Sequence, residues 1–154
     1  TECLARAAGF TGLPLLLSGS LDLCAAHGFD AREVGLLREV LTLAQRMHHL
    51  SFVLSGWQRA CEGGELSGAA VAHGVMTGVL SARELSAEGA ALQGPAIAAR
   101  LQAARIDSHF LTAWLQARQQ TRELAQRLRS VDVQRLLVAH QRLLWLQLQH
   151  RGLV

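Results

Sequence analysis

The 154-residue chain contains no lysine, no asparagine and no tyrosine, and it has only two isoleucines, Ile97 and Ile106, and two prolines. Each absence excludes something. Without lysine a Walker phosphate loop is impossible, and no G-x-G-x-x-G cradle stands in for it. Without asparagine and tyrosine few neutral polar side chains remain from which to build a site, and glutamine takes their place. All fifteen basic residues are arginine, which a GC-rich coding sequence produces by itself, so the arginines are weak evidence for phosphate contact. Three widely spaced cysteines, Cys3, Cys24 and Cys61, form no C-x-x-C and no even framework. They read as buried thiols, which favours an intracellular, reducing compartment. The longest uninterrupted apolar runs, such as Leu13 to Leu17, fall far short of the roughly 20 residues of a membrane span. A start at Thr1, with no basic-then-apolar leader, fits a piece excised from a longer protein.

Catalytic and metal signatures are missing as well. There is no H-E-x-x-H, no acid with a histidine three or four residues later and no G-x-S-x-G. The adjacent His48 and His49 point about 100° apart on a helix and do not chelate one ion together. Cys61 and His73 flank the Gly63-Gly64 turn and supply two ligands at most, short of a structural zinc site. Carboxylate pairs such as Glu62 with Glu65, or Glu84 with Glu88, read as solvated helix surface. The expectation is therefore a non-enzymatic protein with no metal and no cofactor.

What is present is helical. Half the residues are apolar, mostly Leu and Ala, and strand signals are nearly missing. The pattern predicts an all-α, elongated bundle of about four main helices in a single domain spanning 1–154. Residues 1–28 are expected to form short helices, around Glu2–Ala8 and Leu21–His27, with a Leu-rich connection; residues 29–154 form the main bundle. Asp30 and Glu33 have capping-box spacing, with Phe29 and Val34 placed as a staple. Leu36, Val40, Leu43, Met47, Leu50, Leu54, Trp57 and Cys61 then alternate steps of four and three, a heptad seam on a helix of about 32 residues that stops at Gly63-Gly64. In the second segment, about Leu66 to Leu92, small residues recur every four positions: Ala70, Gly74, Gly78, Ala82, Ser86 and Ala90. A second capping box at Ser81 and Glu84 makes a kink there as reasonable as continuity. Gly94-Pro95 opens a third helix read as running to about Arg129, its inward positions drifting from Ile97, Leu101, Leu111 and Leu115 to Phe110, Trp114, Ala117, Leu124 and Leu128. A last helix, capped by Ser130 or Asp132, runs to about Arg151 with Gly152 as its stop, and only a narrow stripe of it is polar. It is either central or covered by a partner.

The net charge of +3 is unevenly spread. Residues 1–99 hold six Arg and nine acids, net −3, whereas residues 100–154 hold nine Arg and three acids, net +6. Three functional readings follow. The first is a protein–protein interaction, scaffold or oligomerisation module that presents Trp145, Leu148, Leu144 and Leu137 to another helical protein or to its own copy. The second is a helical small-ligand sensor in which Arg105, Arg118 or Gln119 fixes the polar end of the ligand. The third is nucleic-acid binding through an anion-binding face of Arg118, Arg122 and Arg129, disfavoured because no aromatic residues interleave it.

Overall fold

The computed structural model describes residues 29–86 and 89–153, which are 77% helical with no strand. The short helices expected within 1–28 lie outside the described residues. A 3-10 turn at Ala31–Glu33 leads into six α-helices: α1 Val34–Glu62, α2 Ala69–Met76, α3 Ala82–Leu85, α4 Gly94–Ala103, α5 Ile106–Ala125 and α6 Gln134–His150. A second 3-10 turn, Ala90–Gln93, precedes α4.

The 29 residues of α1 run about 43 Å and form the axis of the fold. Its most extensive packing is against α5, and α4 and α6 also lie along it. The buried seam is Leu37, Val40, Ala44, Met47, Leu50, Leu54, Trp57 and Cys61. Leu36 and Leu43 are only partly buried, because a straight α-helix drifts about 20° per heptad and burial passes to their neighbours at the N-terminal end. The helix closes as expected, with Gly64 at φ 87° and the Glu65 N–H reaching back to the Ala60 carbonyl at 2.9 Å.

The opening of α1 differs from the expected capping box. Asp30 accepts from the Arg32 N–H at 2.9 Å, capping the 3-10 turn, but Glu33 does not return to Asp30. Its carboxylate is instead taken by the α5–α6 loop, accepting from the Arg129 and Ser130 N–H groups and, at 2.7 Å, from the Ser130 hydroxyl. Val34, the expected staple partner of Phe29, stays largely exposed.

The second and third segments are each broken, which replaces four long helices by six. In the second, Gly78 adopts φ 75°, a left-handed turn that glycine adopts without a Cβ clash, so the small-residue stripe does not lie on one helix. Ala70 and Gly74 are buried, and Gly74 lies under Leu80 and Leu101. The Ser81 box is present in full and starts α3, with the Glu84 N–H donating to Ser81 Oγ at 3.1 Å and the Ser81 N–H to Glu84 Oε2 at 3.3 Å. Arg100 pairs with Glu84 and also donates to the Val79 carbonyl, tying this linker to α4. The third segment breaks at Arg105, a non-glycine residue at φ 54°, ψ 43°, and ends at Ala125 rather than near Arg129. The break resets the register. Ile106, Phe110, Trp114, Ala117, Thr121 and Ala125 are buried, while Leu115, an expected core position, is exposed.

Gly94 fixes how α4 meets α1. A Cβ there would sit 2.2 Å from the Cys61 carbonyl oxygen, so only glycine permits the approach, and the Cys61 thiol donates back to the Gly94 carbonyl at 3.5 Å. On α6, Asp132 rather than Ser130 serves the first turn, accepting from the Gln134 N–H at 2.9 Å. Gly152 at φ 65° ends the helix as expected.

Candidate functional site

Helix α6 has two opposite seams. Leu137, Gln141, Leu144 and Leu148 recur at steps of four, three and four and are buried against the rest of the fold. Arg135, Ala139, Arg142 and Leu146 repeat the same steps on the other side, flanked by Leu136, Val138 and Leu143. The apolar members Leu136, Val138, Leu143 and Leu146 are 44–61% exposed, and a shallow open groove of about 620 Å³ runs between the arginines and leucines of this side. Singly exposed leucines are ordinary, but four large apolar residues are exposed on this one 17-residue helix. No acidic residue lies anywhere on α6.

This arrangement redistributes the contact residues expected from the sequence. Leu137, Leu144 and Leu148 belong to the chain's own core and are closed to a partner. The physical reason is that nearly every position of α6 is apolar, so composition alone does not say which leucines face inward. Trp145 is partly buried, its ring 5.8 Å from that of Trp114. The guanidinium of Arg118 lies 5.8 Å from the Trp114 centroid and 5.3 Å from that of Trp145, and its Nε donates to Gln141 Oε1 at 3.4 Å. Arg118 is thereby held as a cation–π clasp between α5 and α6.

The other cationic candidates do not join it. Arg122 is exposed on α5, and Arg129 lies beyond the end of that helix, next to the Glu33 carboxylate, so the three arginines do not share one helix face. Arg105 is exposed at the α4–α5 break, and Gln119 donates to Glu123 at 2.6 Å. None of the three residues proposed to hold a small ligand lines the cleft between α1, α2 and α5.

That cleft, of about 440 Å³, lies between α1, α2 and the first turns of α5. Its walls include Val53, Trp57 and Phe110, with Phe52 and Met76 63% and 72% exposed. Trp57 is fixed by donating from Nε1 to Asp107 Oδ1 at 2.6 Å. Three histidines line the cleft. His73 stacks on His109 at 3.8 Å between centroids, and His109 meets Phe110 edge-on at 5.3 Å. His49 buries its Nε2 with no hydrogen-bond partner in the protein. Burial first, and then a neighbouring histidine, His48 for His49 and His109 for His73, lowers the pKa values of both rings. A second pair, His48 and His140, stacks at 6.1 Å between α1 and α6. Among the described residues no three His, Cys, Asp or Glu side chains converge as a metal-binding set. Cys61, whose thiol pKa burial raises, bonds to Gly94, while His73 faces His109.

Sequence reasoning missed this cleft. It depends on how α1, α2 and the start of α5 pack together, and local spacing carries no signal for that. Among the described residues, no helix is long and apolar enough to cross a membrane. No protein-family model, curated protein or solved structure matches the chain.

Proposed function

We propose that this protein is a non-enzymatic helical interaction module whose α6 outer face receives an acidic amphipathic helix of a partner protein. The observation that carries the reading is the second seam of α6, in which Arg135 and Arg142 alternate with Ala139 and Leu146 and are flanked by Val138 and Leu143. Leu143, Leu146, Val138 and Ala139 supply the helix-packing surface. Arg135 and Arg142, seven residues and about 10.5 Å apart, match two carboxylates at positions i and i+7 of a partner helix. A second copy of the same face fits poorly, because α6 carries no acid and self-pairing would bring arginines together without counter-ions. The elongated frame of four helical segments expected from the sequence holds this face rigid in the same reading.

The test uses a labelled 21-residue amphipathic peptide with a Leu seam and Glu at i and i+7, alongside its Gln counterpart, in fluorescence anisotropy. The Glu peptide is expected to bind about five- to tenfold more tightly at low salt, with the gap closing as salt screens the pairs. Leu146→Glu abolishes binding of both. If neither peptide binds, or if light scattering shows a dimer that Leu146→Glu dissolves, the acidic-partner reading fails.

A further inference from the structure

We propose that the histidine-lined cleft between α1, α2 and α5 is a binding site for a small, neutral, planar aromatic molecule carrying one N–H or O–H donor. The cleft's volume of about 440 Å³ falls within the roughly 300–1,000 Å³ of small-molecule pockets, and it is more enclosed than the groove along α6. Its lining selects a class of ligand. Phe52, Trp57, Phe110 and the His73–His109 stack give aromatic surface, against which a flat ring packs in offset or edge-to-face geometry.

Charge argues for neutrality. No arginine lines the cleft, and burial lowers the pKa values of His49 and His73, so an anion finds little counter-charge there. Glu65 is the one acidic lining residue, and it is exposed to solvent at the rim, so an ammonium deep within the cleft would be desolvated without a partner. Among the lining residues, His49 Nε2 is the polar atom that is both buried and unpaired. A neutral imidazole leaves one ring nitrogen as an acceptor, and Nε2 in that role takes one donor from the ligand. Leaving the atom unmet has a cost, which is the source of the site's selectivity for a ligand with a donor.

Gly56 makes the idea separable from folding. It lies in the cleft wall in the interior of α1, and a Cβ built there meets nothing within 4 Å. A larger side chain at this position therefore grows into the cleft without a clash and also favours the helix.

The experiment titrates indole, and 1-methylindole in which the donor is blocked, into the full chain by isothermal calorimetry. Indole is expected to bind saturably, and 1-methylindole about tenfold more weakly. His49→Phe, which keeps the ring and removes the acceptor, brings indole down to the level of 1-methylindole. Gly56→Leu, checked as folded by circular dichroism, abolishes binding of both, while Leu146→Glu on the far seam of α6 changes neither. No saturable indole binding, equal affinity for the two compounds in the unmodified chain, or undiminished binding to the Gly56→Leu protein would each overturn the proposal.

Discussion

Ser51 sits in the middle of α1, fully buried, with its Oγ unpaired. A buried hydroxyl without a partner costs stability, and alanine is the better helix former. Ser51→Ala is therefore expected to raise the unfolding free energy by about 1 kcal/mol, read from urea denaturation. A loss of stability would mean that the hydroxyl is satisfied after all. The opposite case is Thr121, equally buried, whose hydroxyl donates to the Ala117 carbonyl at 2.6 Å. Neither assignment was legible in the sequence, because a serine or threonine in an apolar helix looks the same whether or not its oxygen finds an acceptor. Arg118 makes the same point with charge. Its spacing from Arg122 placed it on a basic face, yet two tryptophans 31 residues apart hold it between them, and only tertiary structure brings Trp114 and Trp145 together.

At the scale of elements, what was legible was local. The Ser81–Glu84 box, Gly63-Gly64, Gly94-Pro95, Asp132 and Gly152 act within a few residues through caps and left-handed turns, so each was readable from adjacent letters. Glu33 was not, because its acceptors serve amides almost one hundred residues away. Nor was the break between α4 and α5, where no glycine, proline or asparagine marks the spot and Arg105 takes a left-handed conformation that costs a Cβ-bearing residue energy. Because the side chain of Arg105 is exposed and makes no hydrogen bond or ion pair among the described residues, Arg105→Gly is expected to stabilise the protein by about 0.5–1 kcal/mol, seen as a higher urea midpoint with an unchanged m-value. A fall in the midpoint would show that the arginine contributes more than its backbone strain costs. The outer seam of α6 was half legible: an apolar excess was evident, but its division into an inner and an outer set follows from which side meets α1 and α5.

Over the whole molecule, burial acts on histidines in one direction. His49, His73 and His140 each have a pKa below the ordinary histidine value of 6.5, with burial as the first cause in all three and a neighbouring histidine, His48 or His109, as the second. The α1–α6 and α2–α5 contacts therefore both include imidazoles that resist protonation while folded. In the unfolded chain these groups titrate near 6.5, so below that pH the unfolded state binds more protons than the folded one. The stability that the three groups contribute is complete above about pH 6.5 and is lost as the pH falls through the lowered folded values. Glu33 works in a separate window. Its bonds to Ser130 hold its pKa below 4.5, so its contribution persists until the pH drops below that value. Thermal unfolding followed by circular dichroism should thus show a melting temperature flat from pH 8 to 7, a first decline beginning near 6.5 and a further one below 4.5. Replacing His140 and His73 by Phe should weaken the first decline and leave the second, whereas Glu33→Gln should lower the melting temperature at pH 7 and weaken only the second. A melting temperature that stays level between pH 7 and 5 would show that the two histidine stacks accept protons as readily folded as unfolded, and would refute this account of the contacts they make.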